Sequence, residues 1–531
     1  MEKMNNLMTR FSKGDISRRQ FISGMAALGV SMTSMNSILS SVASAATAVK
    51  PKYGGRFRQG LAGGSTTDSM DPGLLTDAMN YNINWQLRNT LVELNHKWEP
   101  VPELAESFEP SVSGKKWIFK LRQEVEFHNG KTMTSDDVVY SINYHRGEDS
   151  KSGAKGLMGQ IQSIKADGKY AVIFELKTGN ADFPYLLNDF HLTISPAGTK
   201  GDDWQKGIGT GPYILQSYKP GVRALTKKNP NYFKTGQPYF DEVETIGIAD
   251  GNARTNALIT GQVDYMNRCE LKTVHLLEKA PKINLTKIKG TFHNTMPMHM
   301  DKAPFNDNNI RLALKYALDR EQLVKNVLQG YGTVGNDHPI SPVMRYYAAD
   351  LEQRQYDPDK AKFYLKKAGK SSLNVQLHAA EIGNFLDIAT LYKEQAAKTG
   401  INIELVRQPT DGYWNNVWLK EPWTCCYWNG RATVDWMLST AYTGDAKWND
   451  SHLKNDRLDA LMIEARAELD EKKRGDMYYD CQKIIRDEGG TVVPYFKDNV
   501  EAISKKIRFK EEPAGNWEAD GCKNHERWWF A

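Results

Sequence analysis

The sequence lacks the long apolar segments and the charge blocks that define several large classes of protein. No stretch of the 531-residue chain has about 20 consecutive apolar residues, the length that a membrane-spanning helix needs. Lysine and arginine (69) nearly balance aspartate and glutamate (64), and no basic tract interleaved with aromatic residues is present. Nucleic acid is therefore not an expected partner, and the composition is that of a globular protein.

The signatures of common hydrolases and phosphate-binding enzymes are also missing. The chain has no His-Glu-x-x-His pair to hold a catalytic zinc and no Gly-x-Ser-x-Gly turn to activate a serine. Residues 367–371 look like the end of a phosphate-binding loop, but Tyr364 stands where that loop requires glycine. We therefore expect a protein that is not an enzyme and that needs no cofactor.

Cysteine is scarce, and the five cysteines are Cys269, Cys425, Cys426, Cys481 and Cys522. In an oxidising compartment this odd number permits two disulfides and leaves at least one thiol, and the sequence does not choose the pairing. Cys425 and Cys426 lie in an apolar run and are interpreted as packed core residues, with a bridge from one of them as the alternative. No cysteine precedes Cys269, so a lipid anchor near the amino terminus is not expected.

The first 48 residues have the composition of an export signal rather than of a folded domain. A polar segment leads to Ser17–Ile22, which contains the pair Arg18-Arg19, and a weakly apolar stretch follows. That stretch ends in small residues, and cleavage after Ala45 or Ala48 fits a signal peptidase. We predict that residues 1–48 are a twin-arginine signal. The twin-arginine export machinery would then release the protein into the periplasm without a lipid anchor.

After this segment the chain alternates strand-like and helix-like patterns without a repeat period, which predicts an α/β fold. Four runs rich in β-branched and aromatic residues predict strands, at residues 116–121, 170–176, 401–406 and 492–496. The clearest helix begins at Asp357-Pro358 and stops at Gly369, because aspartate caps helix N–H groups and glycine accepts a left-handed stop. A second helix is predicted from Asn308 to about Ala317.

Several short motifs follow one another along the chain in a fixed order. The most specific stretch runs from Trp117 through His128-Asn129-Gly130 to Val139. The other motifs are Gly54-Gly55, Ser69–Pro72, Pro102–Ser107, Gly209–Tyr213, Pro304–Asp307, Arg311–Leu314 and Leu318–Arg320. In content and order the chain resembles the family 5 extracellular solute-binding proteins, which include receptors for dipeptides, oligopeptides, opines and nickel.

The resemblance implies an α/β, two-lobed periplasmic-binding-protein fold with an extra domain and two hinge crossings. Residues 49–88, 205–290 and 498–531 would form a discontinuous first lobe, residues 89–204 its extra domain, and residues 291–497 the second lobe. The solute, a peptide, opine or amino-acid conjugate, would bind between lobes that close by hinge motion. The expected protein partners are the permease and the ATPase subunits of an ABC importer, and the receptor itself would be a monomer.

Most of the motif residues have structural interpretations that need no ligand. Residues 128–130 are typical of a tight turn, because Asn-Gly readily adopts positive φ. Ser135 or Asp136 is expected to cap the helix that follows. Arg320 is expected to pair with Asp319 at a helix end.

The strongest candidates for ligand binding lie in the segment that the resemblance places at the cleft. They are Tyr427, Trp428, Asn429, Arg431 and Asp435. Peptide-binding members of the family carry an aspartate just after the aromatic residue, where it pairs with the α-ammonium group, whereas this chain offers Arg431. A guanidinium holds a carboxylate or phosphate through two parallel hydrogen bonds, so the replacement predicts an anionic ligand. Asp435 then receives an amine, pairs with Arg431, or caps a helix that begins nearby.

Five further candidates come from the expected interface of the lobes. Asn82 and Trp85 are candidates to face the ligand, with helix core as the alternative for Trp85. His293 falls where the first hinge strand is expected to cross, and a buried core role is its alternative. Arg407 and Trp414 precede the cleft segment and are candidates for a second cation and an aromatic wall.

Two other functions fit the same resemblance. A nickel-type carrier would need metal ligands, but the histidines are scattered, with no pair at helical spacing and no short Cys/His cluster. A metal bound through a chelator would leave no such pattern, so a chelated-metal carrier stays an alternative. A chemosensory receptor, which binds a ligand and signals instead of feeding a transporter, is the other alternative.

Overall fold

The computed structural model describes residues 50–531, so the predicted signal of residues 1–48 lies outside the described residues. Helices and strands alternate along this range, and the predicted α/β fold is confirmed. Within residues 50–531, no helix combines the length and the apolar character that crossing a bilayer requires.

The helices are α1 (Ala78–Leu87), α2 (Ser135–Tyr144), α3 (Lys155–Met158), α4 (Phe183–Leu186), α5 (Gly251–Ile259), α6 (Val274–Glu278), α7 (Asn308–Tyr316), α8 (Arg320–Asn326), α9 (Pro358–Lys367), α10 (Phe385–Ala397), α11 (Tyr413–Asn416), α12 (Val434–Ala441), α13 (Asp456–Ala467), α14 (Glu471–Glu488) and α15 (Asn524–Arg527). Short 3-10 turns form at Pro72–Leu74 and Gly201–Lys206, and Glu518–Cys522 contains a left-handed turn.

The strands are β1 (Arg56–Leu61), β2 (Val92–Leu94), β3 (Pro100–Pro102), β4 (Ala105–Pro110), β5 (Lys116–Leu121), β6 (Ile161–Ala166), β7 (Ala171–Leu176), β8 (Tyr213–Lys219), β9 (Arg223–Lys228), β10 (Glu242–Gly247), β11 (Tyr265–Met266), β12 (Ile283–Ile288), β13 (His293–Pro297), β14 (Gly332–Val334), β15 (Leu373–Ala379), β16 (Ile401–Arg407), β17 (Cys426–Trp428), β18 (Thr491–Val492), β19 (Tyr495–Lys497), β20 (Asn499–Ser504), β21 (Ile507–Arg508) and β22 (Trp529–Phe530).

The first-lobe sheet has seven strands in the order β12-β20-β11-β1-β10-β9-β8. β1 runs parallel to β10 and β11, and the remaining pairs are antiparallel. Alternate side chains of these strands, among them Phe57, Tyr213 and Ile503, point into one apolar cluster with Trp528. The sheet is therefore built from chain segments that are far apart in sequence.

The four-stranded sheet has the antiparallel order β4-β5-β7-β6 and comes from one continuous part of the chain. Its apolar face packs with α4 through Trp117, Phe119 and Phe183. The predicted turn before α2 is present, with Gly130 at φ +80°. The cap of α2 differs from the prediction by one residue, because Thr134 rather than Ser135 or Asp136 occupies the cap.

The second-lobe sheet has the order β14-β19-β13-β17, with β18 also paired to β13, and the parallel pair β15-β16 packs into the same apolar cluster. The predicted strand at residues 492–496 is two strands, β18 and β19. Pro494 lies between them, and proline has no N–H to donate to a sheet ladder.

The chain passes between the first-lobe and second-lobe sheets twice, from β12 to β13 and from β19 to β20. The two crossings touch, since the Lys497 N–H donates to the Phe292 carbonyl at 2.8 Å. These are the two expected hinge crossings. The residue boundaries drawn between the lobes and the extra domain stay a prediction.

In the second lobe, the residues that begin and end α9 agree with the prediction, whereas the ion-pair partner of Arg320 does not. Asp357 caps α9 by accepting from the Lys360 N–H at 2.9 Å, and Gly369 takes φ +72° just beyond the helix, as predicted. The predicted pairing of Arg320 with Asp319 is wrong. Arg320 instead donates to both carboxylate oxygens of Asp337, at 2.6 and 2.7 Å.

All five cysteines, which fall within the described residues, are free and buried. Burial raises the pKa of each thiol, which for Cys269 and Cys481 reaches about 12. The predicted core packing of Cys425 and Cys426 is confirmed, because both side chains lie inside apolar clusters.

Candidate functional site

A cavity of about 530 Å³ lies where three parts of the chain face one another. One wall belongs to the unit that carries the four-stranded sheet and includes Tyr185, Leu186 and Asp189. The opposite wall is formed by residues 430–440 at the start of α12, and Trp517 contributes from a third segment. The volume is in the range that holds a small molecule.

Tryptophans form much of the apolar surface of the cavity. Trp98, Trp436, Trp448 and Trp517 all line it, and Trp448 keeps 41% of its surface exposed. Trp98 packs with second-lobe residues although it precedes the four-stranded sheet in the chain. The cavity therefore has aromatic walls, although none of these four residues was among the sequence candidates.

Arg431 reaches the cavity because β17 ends beside the first hinge crossing. Trp428, the last residue of β17, pairs with His293, and the chain then passes against Thr291. Only glycine fits at the closest point, since a Cβ on Gly430 would lie 1.6 Å from the Thr291 Oγ1. The next residue, Arg431, lines the cavity.

The guanidinium of Arg431 is half-buried and has no carboxylate within 4.0 Å among residues 50–531. Its Nη1 donates to the Asn429 carbonyl at 2.7 Å, and its carbon lies 5.7 Å from the centre of the Trp436 ring. Burial lowers the pKa of Arg431, and the charge of Asp189 opposes this effect. The group stays charged and retains N–H donors for an anion.

Asp435 lines the cavity but has a protein partner of its own. Its Oδ1 and Oδ2 accept from the Arg466 Nε at 3.0 and 3.2 Å, and Arg466 also donates to the Ser439 Oγ at 2.7 Å. Burial raises the pKa of Asp435, and Arg466 opposes this effect. Of the alternatives left open by the sequence, a pairing with Arg431 is not observed.

Asp189 presents a carboxylate on the opposite wall. Its Oδ1 accepts from the His191 backbone N–H at 3.0 Å and lies 2.6 Å from the His191 Nδ1. Its charge is close enough to act on the pKa of Arg431, yet the two side chains form no ion pair. The cavity therefore carries opposite charges on facing walls.

Asn82 and Trp85 lie on α1, which is buried along its whole length. The Asn82 Oδ1 accepts from the side-chain amides of Gln59 at 2.5 Å and Gln86 at 3.0 Å. Trp85 is 2% exposed and packs beside Cys522. Neither side chain lines the cavity.

His293, Arg407 and Trp414 also lie outside the cavity wall. The His293 Nδ1 is 2.9 Å from the Thr291 carbonyl, and burial lowers the pKa of this buried imidazole to about 4. Arg407 is exposed at the end of β16. Trp414 packs edge-on against Tyr427 at 5.4 Å between ring centres.

The candidates at residues 427–429 lie behind the cavity wall and do not line the cavity. Tyr427 stacks on Phe292 at the first crossing, with ring centres 5.3 Å apart. Trp428 contacts the cavity residue Trp448 at 6.0 Å between ring centres. Asn429 holds Arg431 through its backbone carbonyl. Contact of these residues with a ligand stays a prediction.

Sequence reasoning missed Asp189, Trp98, Trp436, Trp448 and Arg466. Asp189 and Trp98 lie in the segment interpreted as an extra domain, away from the expected cleft segment. No motif or spacing in the sequence marks either residue as part of a binding site.

The family model for bacterial extracellular solute-binding proteins, family 5, matches residues 99–450. The oligopeptide-binding protein AppA of Bacillus subtilis is 27% identical over 529 residues, covering 91% of this chain and 93% of its own. The glutathione-binding protein GsiB of Pectobacterium atrosepticum is 24% identical, covering 84% and 90%. These relatives are binding proteins rather than enzymes.

The fold is similar to that of solved periplasmic binding proteins. The ABC transporter-associated protein DppA of Helicobacter pylori, solved with the peptide STSA, has a TM-score of 0.71 and 25% identity. The match covers 88% of this chain and 97% of that protein. The predicted two-lobed fold is confirmed by this similarity together with the two crossings.

Proposed function

Because this chain belongs to the bacterial extracellular solute-binding proteins of family 5, we propose that it captures a small anionic solute derived from a peptide or amino acid. The solute binds between two closing lobes and is delivered to the permease of an ABC importer. The cavity of about 530 Å³ between facing walls supports a compact ligand over a long extended one.

The proposal that the solute is anionic rests on the position of Arg431. It lines the cavity, and no acid of the described chain lies within ion-pair distance of its guanidinium. A partly buried cation without a counter-charge is unfavourable, whereas a carboxylate or phosphate bound to it makes two parallel charge-assisted hydrogen bonds. Stacking over Trp436 orients the guanidinium plane for such a contact.

Asp189 supports a ligand that also carries an amine. It lies on the wall opposite Arg431, and its Oδ1 contacts both the backbone N–H and the Nδ1 of His191, which leaves Oδ2 for a ligand. A zwitterion placed between the two side chains would satisfy both charges without bringing an extra ion into the cavity. This arrangement favours an amino-acid head group over a simple inorganic anion.

The finer assignment of location follows from the sequence. We propose export through the twin-arginine route on the basis of Arg18-Arg19, followed by action in the periplasm as a monomer without a lipid anchor.

Paired ligands test the anionic contact directly. Short peptides with a free carboxyl terminus and the same peptides with an amidated terminus are titrated into the protein by calorimetry. For the wild-type protein, we expect amidation to weaken binding by about 2–5 kcal/mol, as for other buried charge pairs that lose one partner. For Arg431→Gln, we expect the two forms to bind with nearly equal, weak affinity.

Arg457→Ala is the matched control, since Arg457 is an exposed arginine on α13 that lies outside the cavity. It should leave both affinities unchanged. If amidation weakens binding to Arg431→Gln as strongly as to the wild-type protein, the solute's anionic group does not bind Arg431 and the proposal fails.

A further inference from the structure

Three ligand-type side chains meet on the second lobe although they are far apart in sequence. His299 and Asp301 follow β13, and His452 lies in the turn before α13. One ring nitrogen or carboxylate oxygen from each lies within 4.8 Å of the others. The two chain segments are held together by the Met300 N–H, which donates to the Ser451 carbonyl at 2.9 Å.

The contacts inside this cluster leave metal-binding atoms available. The His452 Nδ1 lies 2.7 Å from the Asp301 Oδ1, and the rings of His299 and His452 stack with centres 3.9 Å apart. His299 is 3% exposed, and its ring nitrogens have no hydrogen-bond partner among residues 50–531. His299 therefore offers a ring nitrogen that no group of the described chain occupies.

We propose that His299, Asp301 and His452 form a binding site for a divalent late first-row transition-metal ion. Two imidazoles and one carboxylate are the donors that Zn²⁺ and its neighbours prefer, and hard ions such as Mg²⁺ and Ca²⁺ prefer all-oxygen sites. Three ligands of a tetrahedral zinc ion lie about 3.4 Å apart, given bonds of about 2.0–2.1 Å. Small side-chain rotations therefore bring the cluster to coordination geometry, with a fourth position left for water.

The backbone at His452 suits replacement by glycine. This residue adopts φ +54°, a left-handed conformation that glycine adopts without strain and that other residues disfavour. Glycine is therefore the replacement that removes the imidazole with the least cost to the backbone.

The cluster is a separate site from the cavity. None of its three residues lines the cavity, and the backbone around His299 is hydrogen-bonded to the segments that contain Pro422 and Ser451. A metal ion there would link the segment after the first hinge crossing to the turn before α13. Metal binding should therefore stabilise the second lobe without requiring the solute.

Zinc titration of the untagged, chelator-treated protein tests this site. We expect one Zn²⁺ per protein by calorimetry, no displacement by excess Mg²⁺, and a higher melting temperature in the presence of zinc. His452→Gly and Asp301→Asn should each weaken zinc binding at least about tenfold, because the loss of even an outer-sphere partner weakens metal sites by that amount. His452→Gly also relieves the backbone strain, so its melting temperature without zinc should not fall.

Two controls separate this site from other zinc-binding surfaces. His275→Ala removes an exposed histidine on α6, and Asp189→Asn removes a carboxylate that lines the cavity; both should bind zinc as the wild-type protein does. The proposal is overturned if the wild-type protein binds no zinc, or if His452→Gly and Asp301→Asn bind it as tightly. Loss of zinc binding in Asp189→Asn would also overturn it, because the ion would then lie in the cavity.

Discussion

Glu501 on β20 is a carboxyl group buried in the first lobe without a cation beside it. Its Oε1 accepts from the Ala519 N–H at 2.9 Å, and its Oε2 has no partner among the described residues. Burial, with a smaller contribution from the charge of Glu518, raises the pKa of Glu501 to about 8. The protonated form is therefore the one that the fold favours at neutral pH.

This raised pKa predicts a pH-dependent stability. Between the ordinary pKa of 4.5 and the folded value of about 8, the native state holds a proton that the unfolded state has lost. The free energy of unfolding should therefore fall as pH rises through this window and become level above it, with a total change on the order of a few kcal/mol. Glu501→Gln should make this slope shallower and be the more stable protein at pH 8.5. Urea unfolding at several pH values measures both proteins, and parallel slopes for the two would contradict the assignment to Glu501.

The ion-pair partners of individual charged residues could not be predicted from the sequence. Arg320 was expected to pair with its neighbour and pairs with Asp337, while Asp435 pairs with Arg466. In both cases the partner comes from another element, and its position depends on how the elements pack. The position of Arg431 in the cavity wall agrees with the prediction, because the resemblance placed its segment at the cleft.

The segment from β17 to α12 carries Arg431 and depends on one close approach. Gly430→Ala would place a methyl group against Thr291, so the segment must shift and carry Arg431 with it. We expect a loss of stability of about 1–3 kcal/mol, typical of overpacking, together with weaker solute binding. Calorimetry and urea unfolding measure the two effects on the same variant.

A compensating change distinguishes this steric mechanism from a general loss of structure. Thr291→Gly removes the side chain that the added methyl group meets, so the double variant should regain part of both stability and affinity. If Gly430→Ala alone behaves as the wild-type protein, the close approach does not position Arg431.

Three of the four predicted strands agree with β5, β7 and β16 to within one residue at each end, and the fourth does not. The bounds of α9 follow from Asp357, Pro358 and Gly369, which act within a few residues of one another. The strand predicted at residues 492–496 was wrong as one element, because Pro494 separates two short strands that pair differently. Hydrophobic runs indicate extended chain but not which neighbour it pairs with.

At the scale of the whole molecule, the two sides of the cavity are joined by a buried ion pair. The Arg474 Nη2 on α14 lies 2.6 Å from the Asp182 Oδ2 beside α4, and both side chains are about 5% exposed or less. Next to it, the Ala181 N–H donates to the Arg466 carbonyl at 2.9 Å. Opening of the lobes must break these contacts and return both charges to water.

Asp182→Asn should shift the lobes toward an open state, because the amide keeps the shape of the carboxylate and removes its charge. Solution scattering should show a larger radius of gyration for the solute-free variant, and solute affinity should fall by the factor by which the closed population falls. Arg457→Ala, which breaks an exposed pair within the second lobe, should change neither quantity. Unchanged scattering and affinity in Asp182→Asn would show that the pair does not bias closure.

The overall architecture was predictable because ordered motifs along the chain carried the resemblance to a family whose fold is shared. The cavity walls were less predictable, because Asp189 and Trp98 belong to the segment interpreted as the extra domain of the first lobe. Which parts of a discontinuous chain face one another depends on long-range packing, and composition does not encode it locally.

The order of strands in the first-lobe sheet also determines when this sheet can fold during translation. β20 lies between β12 and β11, so these two strands keep unpaired backbone edges until the intervening second lobe has been translated. The four-stranded sheet, drawn from one continuous stretch, can close much earlier. A nascent chain can therefore carry a folded four-stranded sheet together with an incomplete first-lobe sheet. The exposed strand edges of the incomplete sheet are prone to aggregation, and a chaperone bound to them would limit it. β1 leaves the ribosome early, but the sheet to which it belongs is complete only after β20 has been synthesised.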